Sequence, residues 1–206
     1  VLADRFADPR PWMPASVVAF LAARVGRQDR VLEFGGGASS AWWCQRAGLV
    51  HTVEADHDWA AVMLTEIGRR PEWLKHWTLS FVPCNWNPNL ARPKRYWTQH
   101  RDRIDKAEAA VLEAFYARIT FAPTIIVIDG SIRTTCVRVT EAYTRETPVR
   151  MVVVDNMETM ARHVEGCFAG YRRHDFHETD PALIPPHQNG AWTTSVFVKD
   201  ASAHVD

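Results

Sequence analysis

Apolar residues fall along this chain in two rhythms. Short runs rich in β-branched and aliphatic residues recur at 30–34 (R-V-L-E-F), 50–54 (V-H-T-V-E), 78–82 (T-L-S-F-V), 124–129 (T-I-I-V-I-D), 150–154 (R-M-V-V-V) and 192–199 (W-T-T-S-V-F-V-K). The least interrupted of them, 124–129 and 150–154, have the character of strands buried on both faces of a parallel sheet. Between the runs lie stretches of helical period. Residues 17–25 predict a helix with Ser16 as N-cap and Gly26 as stop, and residues 41–47 predict another, capped by Ser39 or Ser40. Residues 58–70 place Trp59, Val62, Met63 and Ile67 on one face; residues 108–119 align Val111, Leu112, Phe115, Tyr116 and Ile119. Strands alternating with helices predict βαβ units, right-handed crossovers and a doubly wound parallel sheet. Such sheets bind ligands at the carboxyl ends of their strands. That directs attention to Glu33 through Gly37, Glu54, Cys84 and Asn85, Asp129 and Gly130, and Asp155 and Asn156.

Composition narrows the picture. The 206 residues are 47% hydrophobic and carry no formal net charge, as expected of one globular domain spanning 1–206. Within it, residues 1–28 read as an N-terminal cap-helix region and residues 83–106, rich in Pro, Asn and charge, as a lid-like excursion. No apolar run approaches the roughly 18 residues of a membrane span. The first residues also lack a basic segment followed by an apolar one, so a soluble cytoplasmic protein is expected. The four cysteines, Cys44, Cys84, Cys136 and Cys167, are too widely spaced for a zinc site and read as small, mostly buried hydrophobes. A neutral chain has no global field to gather nucleic acid or an anionic membrane, and neither partner is expected. The basic stretch 92–103 reads as a solvated lid.

The run Gly35-Gly36-Gly37-Ala38-Ser39-Ser40 follows the first strand and opens a helix. Glycine-rich turns there hold either a dinucleotide pyrophosphate or another adenosine ligand. An acid ending the second strand, Glu54, suits the hydroxyls of an adenosine ribose in either case. Glu33 and Asp129 favour a ligand with a cationic end, because Glu33 would be an odd neighbour for a pyrophosphate.

At these residues the chain resembles the class I S-adenosylmethionine-dependent methyltransferases. V-L-E-F-G-G-G-A-S-S is similar to their first motif, and V-E-A-D at 53–56 ends the second strand with the family's ribose acid. I-D-G at 128–130 and V-V-D-N at 153–156 resemble the fourth- and fifth-strand motifs, and W-T-T-S-V-F-V resembles the antiparallel seventh strand. The first motif is most similar to that of small uncharacterised bacterial methyltransferase-like proteins. The resemblance covers residues 30–199 and implies a Rossmann-like, mostly parallel seven-stranded sheet with an antiparallel last strand. It implies S-adenosyl-L-methionine held by Glu33, Gly35, Gly36, Gly37, Ser39, Ser40, Glu54, Ala55, Asn85, Asp129 and Gly130, with Trp12 against the sulfonium. A small-molecule acceptor would lie over Asp129, Asp155 and Asn156 and be methylated on oxygen or nitrogen.

Catechol-type O-methyltransferases hold a divalent metal at the counterparts of Asp129, Asp155 and Asn156. They carry a lysine shortly after the first aspartate, where this chain has Gly130-Ser131-Ile132-Arg133, so no metal is expected here. Residues 173–180 (R-H-D-F-H-E-T-D) read as a polar strand edge and loop, with His174 and Asp175 as reserve bases near neutral pH. Of nine tryptophans, Trp42, Trp59, Trp73 and Trp77 read as core or groove fillers, and Trp12, Trp86, Trp97 and Trp192 as loop residues. The proline-rich segments 10–14 and 179–190 are expected to close over donor and acceptor. Three alternatives remain open: an NAD-dependent oxidoreductase, an enzyme in which the donor reacts with its own amino-acid portion, and a non-catalytic methyltransferase-like binding protein.

Overall fold

The computed structural model describes residues 2–82, 119, 121–130, 133–184 and 190–199. Seven strands form one sheet: β1 Arg30–Phe34, β2 Leu49–Glu54, β3 Trp77–Phe81, β4 Ile125–Ile128, β5 Met151–Val154, β6 Tyr171–Glu178 and β7 Trp192–Lys199. Their order is β3-β2-β1-β4-β5-β7-β6. The first five are mutually parallel, and β7 runs antiparallel between β5 and β6. The chain therefore reverses its direction of growth between β1 and β4, and their carboxyl ends diverge into a crevice.

Successive side chains of β1, β4 and β5 point to opposite faces, and both faces are covered. On one face Val31, Ile125, Val127, Met151 and Val153 pack with helices α1 Ala15–Ala22, α2 Ala38–Cys44, α3 His57–Gly68 and the short α4 Pro71–Leu74. On the other, Leu32, Phe34, Ile126, Ile128, Val152 and Val154 pack with α5 Arg133–Glu146 and α6 Met157–Val164. Double coverage explains the apolar runs in the sequence. Among the described residues no helix is long and apolar enough to cross a membrane.

Six of the strands lie within about one residue of their expected bounds; β6, expected only as a polar strand edge and loop at 173–180, spans Tyr171–Glu178, and the helices differ. α1 begins earlier, because the Pro14 carbonyl accepts the N–H groups of Val17 and Val18 at 3.1 and 3.2 Å. Pro14, not Ser16, bounds it, and Gly26 instead donates its N–H to Asp29. α2 starts at Ala38, directly out of the glycine turn, so Ser39 and Ser40 lie inside it. Nothing in the hydrophobic pattern predicted α5 or α6. α5 buries Thr135, Thr140 and Thr144 where an apolar stripe would have betrayed it. The excursion at 83–106, with Cys84, Asn85, Trp86 and Trp97, the basic stretch 92–103, and the helix expected at 108–119 up to residue 118 lie outside the described residues, as do Ser131 and Ile132. Cys44 and Cys136 are buried and Cys167 is half-buried, all with free thiols.

The end of the sheet opposite the crevice is clamped by Asp29, which is 1% exposed. Its carboxylate accepts Arg150 Nε at 2.8 Å and Nη2 at 2.6 Å, the Gly26 N–H at 2.9 Å and the Thr124 hydroxyl at 2.9 Å. These residues precede β1, β4 and β5. Burial alone would raise the Asp29 pKa; the Arg150 hydrogen bond, the two others and the guanidinium charge outweigh it and hold the carboxyl below its ordinary value. Asp29→Ala strands Arg150 and two further donors, and is expected to lower the unfolding free energy by ~2–4 kcal/mol in urea titration, somewhat under the cost of breaking a fully buried pair. An unchanged midpoint would show that the clamp contributes nothing.

Candidate functional site

The turn after β1 is built by contact. Gly35 has φ +83°, and a β-carbon there would lie 2.3 Å from the Gly130 Cα, so the segments leaving β1 and β4 touch backbone to backbone. A β-carbon on Gly36 would lie 2.4 Å from Thr52 Cγ2 and 2.5 Å from Met63 Sδ, whereas one on Gly37 would meet only Trp59 at 3.7 Å. Gly35 and Gly36 seat the turn against the fold, and Gly37, also buried, has room beside Trp59 at the cleft. Glu54 locks it from the side: its Oε2 accepts the Gly36 N–H at 2.8 Å and its Oε1 accepts those of Ala55 and Asp56 at 2.7 Å. Burial pushes the Glu54 pKa up despite these bonds.

Glu33 lies fully buried beneath the turn. Its Oε2 accepts the Ser40 hydroxyl at 2.5 Å and the Thr52 hydroxyl at 3.1 Å. Ser40 in turn accepts the Gly37 N–H, and Thr52 accepts the Trp77 indole N–H. A chain of hydrogen bonds thus ties the turn to β3 through one carboxyl. The other oxygen, Oε1, has no partner among the described residues. Burial, offset in part by the hydroxyls, raises the Glu33 pKa to about 7.

Above the turn a cleft of about 330 Å³ opens, lined by Arg5, Asp8, Arg10, Pro11 and Trp12 of the amino-terminal segment, Gly36 through Ser39, Trp59 of α3 and Asp129 at the end of β4. Asp129 accepts Arg133 Nη2 at 2.8 Å. Beside it, buried Asp155 accepts the Thr194 hydroxyl, and the Trp192 indole N–H at 3.3 Å. Burial raises the pKa of both aspartates; the Asp129 charge raises that of Asp155 further, whereas the Arg133 guanidinium and a hydrogen bond with Asp155 partly offset the rise at Asp129. Asn156 follows in the left-handed conformation, φ 58° and ψ 47°, with its amide donating to Glu158; asparagine tolerates that conformation better than other side chains.

Of the residues expected at the site, Trp12, Gly36, Gly37, Ser39 and Asp129 share the cleft wall. Gly35, Gly130, Glu33, Ser40, Glu54, Ala55, Asp155 and Asn156 surround that wall without lining it. Among the described residues no three His, Cys, Asp or Glu side chains form a group able to hold a metal. His174 is elsewhere: it sits on edge strand β6, its ring 5.3 Å from that of Phe20 on α1, and does not line the cleft. Neighbouring Asp175 is bound by Ser195 and Arg173. Residues 185–189 of the second proline-rich segment lie outside the described residues, whereas the first segment does form cleft wall. Arg5 and Asp8 were not foreseen; they precede β1 by more than twenty residues, and no local pattern connects them to the turn.

No protein-family model and no curated protein matches the chain. Its fold is similar to that of a candidate O-methyltransferase from Klebsiella pneumoniae, at 16% identity over 96% of this chain and 86% of that one, with a TM-score of 0.59. It is also similar to the O-methyltransferase TomG from Streptomyces achromogenes in complex with SAM (14%, 88% and 77%, TM-score 0.53). An rRNA methylase from Streptococcus thermophilus shares the fold as well (11%, 88% and 92%, TM-score 0.51). The expected fold is therefore the observed one, that of the class I methyltransferases, a fold that serves acceptors as different as small molecules and RNA.

Glu33 gives this site a pH signature. Its pKa in the folded chain lies above the ordinary glutamate value, so its contribution to stability is complete below pH about 4 and is lost as pH rises through about 7. Thermal unfolding midpoints measured from pH about 5 to about 8 should fall in the parent protein and fall less in Glu33→Gln, which stays neutral throughout. Equal falls would mean that Glu33 does not titrate in this range.

Proposed function

We propose that this protein is an S-adenosyl-L-methionine-dependent methyltransferase acting on a small-molecule acceptor. The observation that carries the reading is the set of carboxyl groups around the glycine turn: Glu33 beneath it, Glu54 beside it and Asp129 on the cleft wall. A pyrophosphate at this turn would meet like charge; a sulfonium with an ammonium-bearing tail would meet complementary charge. This disfavours an NAD-dependent oxidoreductase, although Glu54 suits either ribose.

S-adenosyl-L-methionine supplies, when bound, a methyl carbon on a cationic sulfur, open to in-line displacement by an acceptor lone pair with the C–S electron pair leaving on sulfur. This chain's residues position and protect. Gly36, Gly37 and Ser39 offer backbone at the cleft floor, and Trp12 and Trp59 wall it from water. A carboxylate has about four lone-pair sites, and turn N–H groups occupy three of those on Glu54, two on Oε1 and one on Oε2. Glu54 thus has capacity for one ribose hydroxyl, on Oε2, rather than the two that sequence reasoning assigns. Asp129, the carboxylate on the cleft wall, takes the acceptor's proton, and Asp155, held by Thr194 and Trp192, sets how readily it does so. Asn156 orients that strand end. His174, packed on Phe20, has no part in this scheme.

Calorimetric titration of the full chain should show micromolar binding of S-adenosylhomocysteine and no heat with NAD; the reverse would overturn the reading. Mass spectrometry of S-adenosylmethionine incubated with protein separates transfer, which yields S-adenosylhomocysteine, from attack within the donor, which yields methylthioadenosine. Glu54→Ala should weaken S-adenosylhomocysteine by about 2 kcal/mol, the worth of one hydrogen bond to a charged group. It should also lower the thermal midpoint, because three turn N–H groups lose their acceptor. Unchanged affinity would confine Glu54 to holding the turn.

A further inference from the structure

The cleft carries a guanidinium, that of Arg5, which no carboxylate among the described residues answers. Asp129 on the cleft wall is answered by Arg133 at 2.8 Å, and Asp8 pairs with Arg10 at 2.9 Å. The Arg5 guanidinium lies 4.1 Å from the centre of the Trp12 ring. Stacking fixes the direction of a guanidinium and leaves its charge and its hydrogen-bonding edge available. Trp12 is itself braced edge-on by Trp192, with ring centres 6.4 Å apart, and Pro11 and Trp59 line the same cleft.

From this juxtaposition we infer that the acceptor is a small aromatic carboxylate, its ring along the Trp12 and Trp59 wall and its carboxylate on Arg5. The inference rests on the methyltransferase reading for the reaction but not for the binding. The amino-acid end of the donor offers a carboxylate beside an ammonium and so no net negative charge; assignment of Arg5 to that carboxylate is the competing outcome of the test below. An anionic acceptor carries net negative charge, and it is attracted by the sulfonium as well. A carboxylate also matches the guanidinium fork, which a neutral amide or an amine does not. Arg5 precedes the glycine turn by thirty residues and meets it only in space, so this preference is absent from the motifs.

Benzoate serves as the probe, with benzamide and benzylamine as neutral and cationic comparators of the same ring. Each is titrated into the full chain saturated with S-adenosylhomocysteine, followed by tryptophan fluorescence and calorimetry. Benzoate should bind roughly tenfold or more tightly than either comparator, and Arg5→Gln should cost it a similar factor, as expected for loss of a charge-assisted contact. Arg5→Gln should keep the parent's thermal midpoint and bind S-adenosylhomocysteine within about twofold of the parent. Equal binding of the three probes, no binding of benzoate, or benzoate affinity unchanged in Arg5→Gln would overturn the inference. A parallel loss of S-adenosylhomocysteine affinity would overturn it too, by assigning Arg5 to the donor, and so would displacement of benzoate by a short RNA oligonucleotide. A parent protein that ignores S-adenosylhomocysteine yet binds benzoate through Arg5 would end the methyltransferase reading and leave the anion site standing.

Discussion

The backbone contact between Gly35 and Gly130 is the constraint on which the site depends. With only 2.3 Å between a β-carbon placed on Gly35 and the Gly130 Cα, any side chain there would wedge β1 from β4. That contact lies where strand order reverses, and it has two effects at once. It closes the floor of the crevice, so that the turn presents Gly37 upward, and it brings Asp129, one residue before Gly130, to the edge of that floor. The positive φ of Gly35 adds a second requirement that only glycine meets easily.

Around this contact the fold concentrates acids that burial makes costly. Glu33, Asp155 and Glu54 are each under a tenth exposed, and each has its pKa raised by desolvation. Each is supplied with donors: hydroxyls for Glu33, backbone N–H groups for Glu54, a hydroxyl and an indole for Asp155. Asp29, at the far end of the sheet, is equally buried but meets a guanidinium and is held ionised. Buried carboxyls are thus answered by a guanidinium at one end and by hydroxyl, backbone and indole donors at the other, and at Asp29 the donors and the guanidinium together outweigh desolvation.

The sequence made the strands legible because a sheet covered on both faces needs apolar residues throughout β4 and β5. It made the glycine turn and Glu54 legible because their spacing follows from strand, turn and helix geometry. α5 escaped because its buried face uses threonines, which the turn of a helix can satisfy internally but which break an apolar stripe: Thr144 donates to the Glu141 carbonyl at 2.8 Å. The burial of Glu33 beneath the turn was also hidden. A carboxyl two residues before a glycine turn gives no sign in the sequence that Ser40 and Thr52 hold one of its oxygens. His174 drew attention by its titratable neighbours, but edge strand β6 faces it toward Phe20, and chemical type alone cannot reveal that direction.

The amino-terminal segment shows how a general fold acquires a particular cleft. The sheet and its turn supply a fold shared with methyltransferases of unrelated acceptors. Selectivity must come from what is laid over it, and here the overlay is short: Arg5 through Trp12, held down where Trp12 meets Trp192 of β7 and where Phe6 is fully buried in the core. Trp192 also hydrogen-bonds Asp155. A single indole thus connects the carboxyl pair below the cleft to the aromatic wall above it. The overlay and the end of β5 therefore share one ring as a common support.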